Sequence, residues 1–260
     1  MDLGLRGLTA LVTGGSRGIG RSVAHKLAAE GCRLHLTART EADLETARAE
    51  LRQVANVEVV IHPMDLMAPG APARLAALCG DADILINNAG ATPTGPIEQT
   101  TEATWREGLE LKVLATVLLT KEMYRRMCER RRGVIVNVIG NCGERPDPEI
   151  IIGTITNSGL MAFTRALGAV SPGHGVRVLG VNPGPTMTER LELLMRKKAL
   201  DRTGSEAAWP ELVAPLPFGR AATPEEVADL VVFAASARAS YISGTVLTVD
   251  GGVASRGHLF

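Results

Sequence analysis

One glycine-rich turn, Thr13-Gly14-Gly15-Ser16-Arg17-Gly18-Ile19-Gly20, constrains this chain more than any other segment. It follows a short β-branched apolar run, Thr9–Thr13, and opens a helical pattern. At such a junction, glycines at 14, 18 and 20 permit a tight turn, close approach of backbone N–H groups to a pyrophosphate, and close packing of helix on strand. The helix N-terminus adds partial positive charge at the same point. Glycines also simply make turns, so the loop takes its meaning from its surroundings.

Those surroundings alternate. Runs at 9–13, 33–38, 57–62, 84–87, 133–138, 176–181 and 245–249 read as strands, most of them apolar on both faces as buried parallel strands are. Helical patterns lie between them. Thr40-Glu41-Ala42-Asp43 reads as a capping box, and Thr223-Pro224-Glu225-Glu226 opens another helix with Pro at its first position. Parallel neighbours need right-handed crossovers, so the pattern predicts an α/β, doubly wound sheet of about seven parallel strands with helices on both faces. No repeat or linker divides the chain, which reads as one domain over 1–260. A proline-bearing, charge-rich excursion between the sixth and seventh strands, about 185–218, reads as a lid.

Composition narrows the function classes. Lys+Arg and Asp+Glu both number 28, so charge favours neither nucleic acid nor an anionic membrane surface. Aromatics are 3%, too few for base-stacking platforms. Cys32, Cys79, Cys128 and Cys142 form no Cys-x-x-Cys pair, and no His is spaced in sequence to join them at a metal, so the reading is no metal and a reducing compartment. No apolar run approaches the roughly 18 to 20 residues that span a bilayer, and the chain reads as cytoplasmic. A small, neutral or modestly charged partner is expected.

With these features the chain resembles the short-chain dehydrogenase/reductase family. The Thr-Gly-x-x-x-Gly-x-Gly spacing falls at Thr13 to Gly20, Asp65-Leu66 follows the third strand, and Asn87-Asn88-Ala89-Gly90 follows the fourth. Asn182-Pro183-Gly184 follows the sixth, and Asp250-Gly251-Gly252 closes the last. The resemblance spans nearly the whole chain and implies a single Rossmann-type domain that binds a nicotinamide dinucleotide. It implies cofactor contacts from Gly14, Ser16, Arg17, Gly18, Ile19 and Gly20. Asp65 and Leu66 would flank the adenine, Asn88, Ala89 and Gly90 would line the cleft, and Pro183, Gly184 and Thr186 would meet the nicotinamide end.

Cofactor choice is read at the end of the second strand, where an acidic residue would bind the ribose 2′-OH of NAD. That place holds Ala38, followed by Arg39 and Thr40. No carboxylate repels a 2′-phosphate, and Arg39 with Arg17 is placed to hold one, so NADP is preferred over NAD. The alternative is that both arginines are solvated surface charges.

The chemistry departs from the family. Its Tyr protonates the substrate carbonyl, its Lys four residues on lowers that Tyr's pKa, its Ser orients the carbonyl, and its Asn holds a water near the Lys. Here the two tyrosines, Tyr124 and Tyr241, have Cys128 and Thr245 four residues later. Alignment puts Gly140 at the Ser, Gly153 at the Tyr, Asn157 at the Lys and Lys112 at the Asn. The Lys and Asn types are thus exchanged between two helices. One reading is that Lys112 keeps a positive charge beside the nicotinamide ribose; the other is a surface lysine without a role. The loop 141–149 offers Cys142 as a nucleophile and Glu144 as an acid or base, against the plainer reading of Cys142 as structural. His174 reads as a surface residue.

Two long helical patterns, 104–131 and 151–170, are apolar on more than one face, including Leu109, Val113, Leu114, Val117 and Leu118. The resemblance implies a homodimer through them and a homotetramer contact through the last strand and C-terminal residues. The alternative covers those faces with the lid. Three functions follow: an NADP-dependent oxidoreductase on a carbonyl or alcohol; a catalytically inactive nucleotide-binding or scaffolding protein; or a lyase, isomerase or hydrolase on the same fold.

Overall fold

The computed structural model describes residues 2–256. In chain order the main elements are β1 (Thr9–Thr13), α1 (Gly18–Ala29), β2 (Arg33–Ala38), α2 (Glu41–Val54), β3 (Val59–Pro63), α3 (Ala71–Leu78), β4 (Ile84–Asn87), α4 (Glu102–Leu109), α5 (Ala115–Arg130), β5 (Gly133–Val138), α6 (Ile151–Val170), β6 (Val176–Pro183), α7 (Glu189–Thr203), α8 (Trp209–Val213), α9 (Pro224–Ala235) and β7 (Val246–Val249).

Among the described residues the strands form one parallel sheet in the order β3-β2-β1-β4-β5-β6-β7. Side chains alternate along each strand, so each face collects its own helices. Ala10, Val12, Leu34, Leu36, Ile84 and Ile86 pack with α1, α2 and α9. Leu11, Leu85, Ile135 and Val178 pack with α3 and α5 on the other face. Chain direction reverses its lateral progress between β1 and β4, and at such a switch point the loops after the two strands part to leave a crevice. A polar ladder fixes the long helices to the sheet: Asn87 Nδ2 donates to Asn137 Oδ1 (2.8 Å) and Thr120 Oγ1 (2.8 Å), and Asn137 Nδ2 donates to Thr164 Oγ1 (2.9 Å). No helix among the described residues is long and apolar enough to cross a membrane.

Several local expectations are corrected. β3 starts at Val59 rather than 57, because Val57 N–H turns back onto Ala55 O. β6 runs on to Pro183, and β7 starts at Val246. Thr40 caps α2 without the capping-box hydrogen bond, since Asp43 is held instead by Arg17. The box at Thr223 and Glu226 is formed. The helix expected over 104–131 begins at Glu102, capped by Thr101, and is interrupted by a π-helical turn over Glu110–Leu114.

That turn widens the helix just where Lys112 must point inward. Val113 and Val117 pack against Ile139, Leu160 and Met161 of the interior. Leu109, Leu114, Leu118 and Ile155 stay exposed, so residues 185–218 do not cover this face. The C-terminal residues implied in a second subunit contact fall partly on 257–260, outside the described residues.

Candidate functional site

The loops after β1 and β4 are locked together. Thr13 Oγ1 accepts from the N–H groups of Asn88 and Ala89, each at 2.9 Å, and Asn88 Nδ2 donates to the carbonyls of Thr13 (3.0 Å) and Gly14 (3.2 Å). Gly14 and Gly18 have φ of +64° and +51°, which favour glycine. Among the described residues, the N–H groups of Gly18, Ile19 and Gly20 have no acceptor. Orphaned donors at the start of a twelve-residue helix suit an anionic oxygen.

Gly18 and Ile19 border a cleft of about 670 Å³ lined also by Gly14, Arg17, Asn88, Ala89, Gly90, Lys112, Val138, Ile139 and Pro183, and on the far bank by α7 residues that include Arg190, Leu193 and Lys197. A smaller cavity of about 180 Å³, sharing Gly14, Ala89 and Gly90, continues past Ala38, Arg39, Met64, Asp65, Leu66 and Leu111. Together they make one groove, with a flat apolar pocket at one end and a helix N-terminus in the middle. A dinucleotide fits that order of base pocket, pyrophosphate donors and wider reacting end.

Of the cofactor residues expected from sequence, Gly14, Arg17, Gly18, Ile19, Arg39, Asp65, Leu66, Asn88, Ala89, Gly90 and Pro183 line this groove. Ser16, Gly20, Thr40, Gly184 and Thr186 do not. Gly20 packs beneath the loop, Thr40 starts α2, Gly184 packs on Asp250, and Thr186 Oγ1 donates to Gly184 O at 3.0 Å. Arg17 already has acidic partners: its guanidinium forks onto Asp43 (3.1 and 2.9 Å) and reaches Glu189 at 3.5 Å. Arg39 is exposed and makes no ion pair among the described residues.

Lys112 is 8% exposed. Its Nζ donates to the carbonyls of Ile139 (2.8 Å) and Val138 (3.2 Å), and its third hydrogen has no partner among the described residues. Desolvation pushes its pKa down to about 8, with Arg190 lowering it further and Cys142 opposing. Its stem lies where a Cβ on Gly90 would fall, 2.6 Å from Lys112 Cδ. It is therefore part of the cleft wall, and the surface-lysine reading is set aside.

Lys112 and Asn157 do not hydrogen-bond; Cys142 stands between them. Asn157 Nδ2 donates to Cys142 Sγ at 2.8 Å, and Asn157 Oδ1 is buried without a partner among the described residues. Burial pushes the Cys142 thiol up, while Asn157 and Lys112 nearby pull it down. No residue of 141–149 lines the groove. Glu144 instead accepts from Thr248 Oγ1 (2.9 Å), and Asn141 donates to Asp250 (3.2 Å). A Cβ on Gly140 would meet Asn157 Nδ2 at 3.0 Å, and one on Gly153 would meet Ile150 Cγ2 at 2.8 Å and Thr92 Oγ1 at 3.1 Å. Neither of the two tyrosines reaches the groove: Tyr124 packs beside α5's core face and Tyr241 is fully exposed. His174 is exposed, as expected.

The far bank from α7 falls in the excursion that reads as a lid from sequence, although no local motif marks which of its residues face the cleft. No His is spaced in sequence to join a cysteine, but the fold brings His35, His62 and Cys79 together from three places in the chain.

Fold and groove define a dinucleotide-binding α/β protein with its site at the carboxyl ends of the strands. The sequence profile of the short chain dehydrogenases matches residues 8–199, and the chain belongs to that family. It is 33% identical over 260 residues to a 3-oxoacyl-(acyl-carrier-protein) reductase of Aquifex aeolicus, covering 97% of this chain and 100% of the relative. It is 34% identical over 250 residues to the galactitol 2-dehydrogenase (L-tagatose-forming) of Cereibacter sphaeroides, covering 95% of each. Among solved structures, the L-sorbose reductase of Gluconobacter frateurii, complexed with NADPH and L-sorbose, superposes with a TM-score of 0.91 at 30% identity over 99% of this chain and 100% of that one.

Proposed function

We propose that this chain is an NADP(H)-dependent oxidoreductase acting on a carbonyl or alcohol. The observation that carries the reading is the unpaired first turn of α1, its N–H donors facing a groove that runs from an apolar base pocket to Lys112. A bound dinucleotide supplies hydride chemistry at its nicotinamide end. The chain's own residues do the rest. Gly18 and Ile19 N–H groups would hold the pyrophosphate, Asp65 and Leu66 would bracket the base, and Lys112 would stand beside the nicotinamide ribose, charged until it gives up its proton. With Gly140 and Gly153 at the family's Ser and Tyr positions, no phenol protonates the substrate. The unclaimed hydrogen on Lys112 Nζ, on an amine held near pH 8, is the proton source the wall offers. α7 acts as the lid, excluding water with Leu193 and Leu194.

Quenching of NADPH fluorescence tests the binding half, and loss of its reduced-nicotinamide absorbance with a panel of ketones and sugars tests the chemistry. Binding with turnover supports the reading, binding without turnover points to an inactive nucleotide-binding protein, and no binding overturns it. Arg39 is the phosphate-selecting residue, since Ala38 presents no carboxylate and Arg17 is tied to Asp43. Arg39→Ala is expected to weaken NADPH by roughly tenfold or more while leaving NADH unchanged, a charge-assisted bond lost to only one of the two. Equal losses for both cofactors in parallel titrations would count against Arg39.

The functional unit is a homodimer through α5 and α6. Exposed Leu114, Leu118 and Ile155 support this, because apolar side chains grouped on two neighbouring helices need a partner surface. Leu118→Arg is expected to shift the chain from dimer to monomer in sedimentation or light scattering without loss of secondary structure. A wild-type monomer would sink the dimer.

A further inference from the structure

We propose that His35, His62 and Cys79 form a binding site for a zinc-type divalent cation, outside the dinucleotide groove, that ties α3 to the edge of the sheet. In the β2–β3 register Thr37 stands opposite His62, so His35 and His62 project from the same face, two residues apart. Cys79, the residue that caps the C-terminus of α3, packs on that same face with Leu11, the register partner of His35. One nitrogen from each ring and the sulfur all lie within 4.8 Å of one another. His35 Nδ1 is 2.8 Å from His62 Nε2, which is 3.4 Å from Cys79 Sγ.

The rings lie within 12° of parallel with centroids 5.1 Å apart. With nitrogens 2.8 Å apart, such rings sit end to end, and one nitrogen donates to the other. Ligand atoms on tetrahedral zinc stand roughly 3.3 to 3.7 Å apart, given its bond lengths. The sulfur is already at that spacing from His62, and a cation needs the two rings to part by about half an ångström.

The chemistry of the three donors selects the ion. Two imidazoles and a thiolate are a borderline-soft set that suits zinc or cobalt and not magnesium or calcium. Burial pushes both imidazoles below their ordinary value, His62 further by His35. Asp81 acts on His35 and Cys79, and Glu58 acts on His35, so carboxylates outnumber the opposing Arg33 around the pocket. Burial also pushes the Cys79 thiol up to about 12, and a cation must displace that proton. On binding, the S–H bond breaks, the sulfur bonds the metal, and its proton goes to solvent. The ring that donates between the histidines moves its proton to its other nitrogen, so one proton leaves per cation and no electrons transfer.

Chelator-stripped protein titrated with Co2+ tests this. The expected result is one Co2+ per chain, a thiolate-to-cobalt charge-transfer band, displacement by Zn2+, and affinity that rises about tenfold per pH unit above neutrality, as release of one proton requires. Cys79→Ser is expected to remove the band. Should that variant not fold, alkylation of wild-type thiols read by mass takes its place: Zn2+ should slow modification of Cys79 at least tenfold and leave Cys142 unaffected. No stoichiometric Co2+ uptake, a band that survives in Cys79→Ser, or protection of Cys142 in place of Cys79 would each overturn the site.

Discussion

A Lys112→Met variant is expected to bind NADPH tenfold or more weakly at pH 7, and to lose a pH dependence of stability that the wild type carries. The folded chain holds the Lys112 proton to about pH 8, whereas the unfolded chain holds it to 10.5. Between those values the unfolded state binds more protons, so stability rises with pH. Below about pH 8 the ammonium is charged in both states and its full burial penalty, about 3 kcal/mol, is present. Above pH 10.5 it is neutral in both and the penalty is gone.

Methionine keeps the volume and has no proton to lose. It leaves Val138 O and Ile139 O without donors, but that cost does not change with pH. Urea unfolding of both proteins should therefore show their stability difference moving toward the wild type by about 3 kcal/mol between pH 7.5 and 10.5. A flat difference would mean that the amine is solvated. A side chain retained at that cost, in the wall of a groove, is the pattern of a functional group rather than a stabilising one.

The parts legible in the sequence were those in which neighbours in the chain do the work. Uniformly apolar short runs such as Ile84–Asn87 announce parallel strands because both their faces are covered. The glycine turn and Asn88-Ala89-Gly90 sit directly after their strands, so strand ends alone place these walls of the groove. What escaped depends on long-range pairing. Arg17 is drawn off by Asp43 of α2 and Glu189 of α7, which its own loop gives no sign of. The π turn that aims Lys112 inward has an ordinary amphipathic sequence. For Cys142 the loop sequence leaves a nucleophile and a structural thiol both open, and its surroundings are set by burial and by Asn157, fifteen residues on.

Gly20→Ala is expected to cost at least about 3 kcal/mol and to abolish detectable NADPH binding, the larger of two very different outcomes within one turn. A Cβ at Gly20 would lie 2.2 Å from Gly14 O and 2.4 Å from Asn88 Nδ2. Both belong to the locked pair of loops, and neither moves without breaking the Asn88 bonds to Thr13 and Gly14. Helix α1 would have to back away from the sheet, carrying the orphaned N–H donors with it.

Gly15 is the internal contrast. Its φ is not positive, and a Cβ there would meet Leu36 Cδ2 at 3.0 Å, the far end of a flexible side chain, and Val12 O at 3.2 Å. Gly15→Ala should cost about 1 kcal/mol and retain binding. Thermal unfolding and fluorescence titration of the two variants side by side make the comparison, and equal behaviour would refute it. The spacing Thr-Gly-x-x-x-Gly-x-Gly leaves position 15 open and fixes 14, 18 and 20. Those three are where backbone conformation or an immovable neighbour excludes a side chain, so the motif is a record of contacts rather than of composition.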